Sequence, residues 1–126
     1  MSPRKRAPAD VFDIVRRLGL AMSDVEEFSR KGSPVLKLRG CFLAGIAQHA
    51  SAEPGSLVLR SPLEERDLLI EDAPETYYIT DYYRPYPLVL VRLAHVSREA
   101  LHDLLSVSYR MTEEKTRKPR RSRDKA

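Results

Sequence analysis

Apolar and polar positions run along this chain in two rhythms. Val11, Phe12, Ile14, Val15 and Leu18 recur at helical spacing, which predicts a first helix over about Ala9–Leu18. Asp10 is placed to cap it and Gly19 to stop it. The following LAMSDVEEFSRKGSP keeps no steady period and reads as a connection, with at most a short helical turn near Asp24–Phe28. VLKLR and CFLAGI are two extended runs joined at Gly40, a hairpin signal. In the first of them Val35, Lys37 and Arg39 share one face and Leu36 and Leu38 the other.

After the polar loop QHASAEPGS, SLVLR is a third strand, with Leu57 and Leu59 opposing Val58 and Arg60. Ser61-Pro62-Leu63-Glu64 has the pattern of a capping box, Ser at N-cap, Pro at N1 and Glu at N3. It opens a helix that runs through Leu69 and ends before Pro74. TYYIT suits a half-buried strand, and Asp81–Pro87 turns the chain. LVLVRL, apolar almost throughout, predicts a strand buried on both faces. Ser97 caps the last helix, Val96 packs on Leu101, and Leu101, Leu104, Leu105 and Ser108 form its inward stripe to about Met111.

The order α-β-β-β-α-β-β-α predicts an α+β fold, a two-layer sandwich in which helices pack on one face of a mainly antiparallel sheet. It forms one domain over 9–112, between a basic N-terminus (1–8) and a basic tail (113–126) that both read as disordered.

Composition changes the picture mainly through charge. The net +4 divides into +3 over residues 1–6, +6 over residues 115–126 and −5 over residues 7–114. The sequence pI of about 9.4 therefore belongs to the ends, and the folded body is mildly acidic. With no apolar run long enough for a bilayer, no h-region after MSPRKRAPAD and one cysteine, Cys41, the expectation is a cytoplasmic protein without membrane contact or disulfide.

Candidate chemistry is sparse. His49, His95 and His102 lack helical i, i+4 spacing, Cys41 sits among strand residues, and no Gly-rich phosphate loop is present. The acidic run Glu64, Glu65, Asp67, Glu71, Asp72 and Glu75 reads as a solvated helix face. No enzyme, metal or cofactor is expected. Lys37, Arg39, Arg60, Arg84 and Arg92 lie on or beside strands, where they either contact phosphates or pair with surface carboxylates. Tyr82 and Tyr83, in TYYITDYYRPYP, are candidates to stack on bases. Within that stretch Tyr77 and Tyr78 point to opposite faces, so one of them belongs to the core, and Asp81 is placed to pair with Arg84. Lys118, Arg120 and Arg121, in KTRKPRRSRDK, supply either polyanion contact or solubility.

RRLGLA, GSPVLKLRGCFLAGI, the block from Leu57 to Leu93 and SREALHDLLSVSYRM occur in an order that resembles the MmcQ/YjbR family over roughly residues 9–112. The resemblance implies a fold like that of type III secretion chaperones and a DNA-binding role through a hairpin-containing "double wing". Family members commonly carry Gly-Lys after the first strand. Here Gly40 is followed by Cys41, and the nearest basic residues are Lys37 and Arg39. The expectation is a non-enzymatic DNA-binding protein, monomer or weak homodimer, whose binding is weak and salt-sensitive. The alternative is a chaperone-like module with a protein partner.

Overall fold

The computed structural model describes residues 12–117. The elements are α1 (Asp13–Leu20), β1 (Val25–Arg30), β2 (Ser33–Leu38), β3 (Cys41–Ile46), β4 (Leu57–Arg60), α2 (Leu63–Asp72), β5 (Tyr77–Tyr78), β6 (Leu88–Val91) and α3 (Arg98–Arg117). The strands form one six-stranded sheet in the order β1-β2-β3-β4-β6-β5, with every neighbouring pair antiparallel. The expected α+β sandwich is the observed fold.

Strand alternation decides which residues face the helices. Leu36, Leu38, Leu57, Leu59, Val89 and Val91 are buried there with Phe12 and Val15 at α1 and Leu101, Leu104 and Leu105 of α3. Each such side chain contributes about 1.5–3 kcal/mol of burial. The register slips between Leu36 and Lys37, so that Leu36 opposes Ala44 and Lys37 opposes Phe42. That bulge turns Leu43 inward beside Ala44 and leaves Phe42 on the other face. A smaller cluster on this open face contains Val58, Tyr83 and Leu90, with Phe42, Tyr78, Ile79 and Leu88 against it.

β1 overturns the reading of LAMSDVEEFSRKGSP as a connection. It is a full edge strand, paired from Val25↔Leu38 to Arg30↔Ser33. Its apolar contact with the core is reduced to Val25, and Glu26, Glu27, Phe28, Ser29 and Arg30 are exposed, so no apolar alternation marks it. Arg16 of α1 clasps it from the side, donating from Nε and Nη2 to the Glu27 carboxylate at 2.7 and 3.0 Å. Lys31-Gly32 and Arg39-Gly40 are the loops on either side of β2. All four residues have φ between 50° and 83°, the signature of type I′ hairpin turns.

Three further local readings change. Gly19 lies inside α1 rather than after it. A Cβ there would overlap Leu36 Cδ1, so glycine is required by the close approach of helix and sheet. Ser61 does not cap α2. The first helical bond runs from Arg66 N–H to the Pro62 carbonyl, which makes Pro62 the N-cap, while the buried Ser61 donates from Oγ to that carbonyl at 3.2 Å. α3 continues past Met111 to Arg117, further than the expected domain end. Its cap is as expected, with the Ala100 N–H donating to Ser97 Oγ at 3.0 Å. The Asp10 cap and the basic segments 1–11 and 118–126 lie outside the described residues. No described helix is long and apolar enough to cross a membrane.

Candidate nucleic-acid interface

Four of the basic residues singled out by position are engaged inside the molecule. Arg92 makes a two-pronged contact with Glu53 at 2.9 and 2.8 Å and donates from Nη1 to the Pro74 and Glu75 carbonyls. Its guanidinium also lies 4.3 Å from the centre of the Tyr78 ring. The hydrogen bonds from Arg92 hold the Glu53 carboxyl below its ordinary pKa, and the same bonds raise that of Arg92. Arg60 is half-buried and donates from Nε to the Phe42 carbonyl and Thr112 Oγ1, both at 3.1 Å. Burial lowers its pKa, with Cys41 acting in the opposite direction, although a guanidinium stays charged at any ordinary pH. Arg39 links the start of β1 to the last turn of α3, reaching Asp24 and Thr116 at 3.0 Å each. Arg84 meets Asp81 at 3.5 Å in the turn, as its position predicts, and both are exposed.

The tyrosines divide in the same way. Tyr77 is core, on the helix side, and Tyr78 faces the open side. The Tyr78 hydroxyl accepts from the Glu53 N–H at 2.8 Å and lies 2.6 Å from Ser56 Oγ. Tyr83 is buried, its hydroxyl accepting from the His49 N–H at 3.2 Å. These bonds stitch loop 47–56 to β5 and to loop 79–87, and burial of Tyr83 removes it as a stacking surface. Tyr82 remains half exposed, its ring stacked on the His49 imidazole at 3.6 Å and 9°.

Arg66, a residue that sequence position left without a role, clamps the second loop from below. It is 5% exposed and donates from Nη1 to the Tyr86 and Leu88 carbonyls and from Nη2 to the Arg84 carbonyl. Only Nε lacks an acceptor, with Asp67 Oδ1 4.0 Å away. A long cation in an otherwise acidic helix, two residues before a Leu-Leu pair, was the one sequence signal available for it.

What the internal contacts leave over is a groove of about 410 Å³ on the open face. Val35, Phe42 and Val58 form its floor, and His49 and Tyr82 one wall. Gly45 keeps the floor flat, since a Cβ there would press on Val35 Cγ2 at 3.0 Å. Arg30 and Lys31, from the unforeseen hairpin, form the opposite rim. Both are exposed, and neither takes part in an ion pair among the described residues. Further along the same face Lys37 sits over the Phe28 ring, Nζ 4.9 Å from its centre, and Phe28 is 41% exposed. Lys37 is four residues from Ser33 along β2, which separates the two cationic ends by on the order of 13 Å.

Outside the groove the His49 imidazole lies next to a hydroxyl. Ser51 Oγ lies 2.9 Å from His49 Nδ1 and 2.9 Å from Thr80 Oγ1. The Ser51 N–H also donates to Nδ1, at 3.0 Å, so one ring nitrogen serves a short turn. No described carboxylate orients the ring from behind, as a nucleophile–base pair requires. Among the described residues no group of three His, Cys, Asp or Glu side chains is placed to hold a metal ion. Lys118, Arg120 and Arg121 lie outside the described residues.

Fold and groove together define a small α+β domain whose open sheet face carries aromatic rings between cations. No family model, curated protein or solved structure matches the chain.

Proposed function

We propose that this chain is a binding protein rather than a catalyst, of the MmcQ/YjbR kind, and that it lays a single-stranded nucleic acid across the open face of its sheet. The observation that carries the reading is the groove: an exposed Tyr82 ring faces Arg30 and Lys31, two cations not spent on internal ion pairs. Bases stack on Tyr82 and Phe28, and Arg30, Lys31 and Lys37 contact phosphates. The interface moves away from Arg60 and Arg92, whose hydrogen bonds brace the fold. With about three phosphate contacts the log–log salt slope contributed by this face is about −2.

Full-length protein titrated with a labelled thymidine oligonucleotide at low salt tests it. Tyr82→Ala and the double variant Arg30→Ala/Lys31→Ala are each expected to lose about tenfold in affinity. If both bind as the parent protein does, and only alanines at Lys118, Arg120 and Arg121 weaken binding, the tail is the binder and the open-face reading fails.

A further inference from the structure

The helix-covered side of the molecule carries a second groove. α2 packs against β5 and β6, and α3 against β3 and β4. The gap between the two helices is about 340 Å³. From α2 it is lined by Glu65, Leu68, Leu69 and Asp72, and from α3 by Ala100, Asp103, Leu104 and Val107. Both sets follow i, i+3, i+4, i+7 spacing, so each helix turns one continuous stripe toward the other. Carboxylates end the α2 stripe, and Asp103 adds a third from across the groove.

Leu69 and Leu104 pack on the core of this chain, but Leu68 does not. Arg66 is the buried residue of α2, whereas Leu68 is 64% exposed. One exposed leucine is ordinary. A leucine projecting into a groove between two matched helical stripes, with Tyr77 and Leu104 beneath it, is a surface shaped for another helix.

We propose that this groove docks an amphipathic, basic helix of a protein partner. Leucine-sized side chains one turn apart would enter between Leu68 and Val107, and lysines or arginines beside them would meet Glu65, Asp72 and Asp103. Charge selects this occupant. Three carboxylates line the groove against a single guanidinium, Arg60, which already donates to Phe42 and Thr112. An anionic ligand is therefore repelled. The chain's own tail does not fit, because residues 115–125 contain no Leu, Ile, Val, Met or aromatic side chain to act as an anchor. The site lies on the opposite side of the sheet from the open face and stands without the nucleic-acid reading.

Calorimetric titration of full-length protein with an amidated helical peptide, leucines at i, i+3, i+4 and i+7 with lysines beside them, tests the proposal. The expected result is dissociation near the micromolar range. Leu68→Ser is expected to weaken it about tenfold. Asp103→Lys weakens it by about the same factor and shifts preference toward a glutamate-flanked version of the peptide. Arg30→Ala/Lys31→Ala, on the other face, leaves it unchanged. Leu68 and Asp103 are exposed, and circular dichroism melts check that each variant is folded. No binding at about 1 mM peptide, parental affinity in both groove variants, or equal binding of the glutamate-flanked peptide overturns the proposal.

Discussion

The two ends of the sheet treat their open sides in opposite ways. At the β4–β6–β5 end, loops 47–56 and 79–87 form a roof held by Tyr78, Tyr83, Arg92 and, from underneath, Arg66. At the β1–β2–β3 end loop 47–56 reaches only the Arg30 corner, where Gln48 Nε2 donates to the Arg30 carbonyl at 3.2 Å, and Phe28, Arg30 and Lys31 are exposed. Both ends carry arginines and aromatic rings, so these residue types do not separate them. Hydrogen bonding does: a guanidinium with several internal acceptors is committed to the fold, and one with none is available to a ligand.

The strongest way to break this contrast is Arg66→Ala. It leaves the Arg84, Tyr86 and Leu88 carbonyls without their shared, buried donor. The expected cost is about 3 kcal/mol or more, on the order of 15 °C in Tm. Arg66→Lys rescues little, because one ammonium cannot reproduce the planar fork. A parental melting curve for Arg66→Ala would show that the roof does not depend on this clamp.

Gly19→Ala is expected to cost about 1–2 kcal/mol, since the new methyl meets the wholly buried Leu36 and the gain in helix propensity offsets only part of the strain. A chemical denaturation midpoint reads it. Arg30→Ala/Lys31→Ala sharpens the comparison from the other end. It should leave stability within about 0.5 kcal/mol of the parent while lowering oligonucleotide affinity.

The smallest effect belongs to Glu53→Gln. The Arg92 hydrogen bonds depress the folded-state pKa of Glu53, outweighing its burial. Its contribution is therefore fully present above the unfolded glutamate pKa of about 4.3 and is lost as pH falls through the lower folded value. Melting curves of parent and variant should differ slightly at pH 7 and converge in acid. A gap that stays constant from neutral to acid pH would separate Glu53 from the roof.

The sequence made the interior legible and the surface largely not. Leu36 and Leu38, Leu57 and Leu59, and the stripe of α3 all face the core as their spacing predicts, because burial imposes a strict period. β1 escaped because an exposed edge strand imposes none. Gly19 and Ser61 were misread because a glycine can serve close packing as well as helix termination, and a serine can turn its hydroxyl to a neighbouring carbonyl rather than to an N–H. The candidate site suffered from both gaps. Arg30 and Lys31 lay in the segment taken for a connection, and the acceptors that occupy Arg60 and Arg92 are mostly carbonyls and carboxylates far away in sequence. Of the two tyrosines considered for base stacking, Tyr82 is exposed and Tyr83 is buried.

The polar edge strand has one more consequence. The outer rim of β1 offers unpaired backbone groups to any other extended chain, the starting point of runaway strand-to-strand association. Glu26, Glu27 and Arg30 along it, followed at once by Lys31, make that rim costly to approach with a second sheet. Had β1 carried the apolar alternation that would have made it easy to recognise, it would also have been adhesive; its obscurity as a strand and its resistance to aggregation come from the same residues.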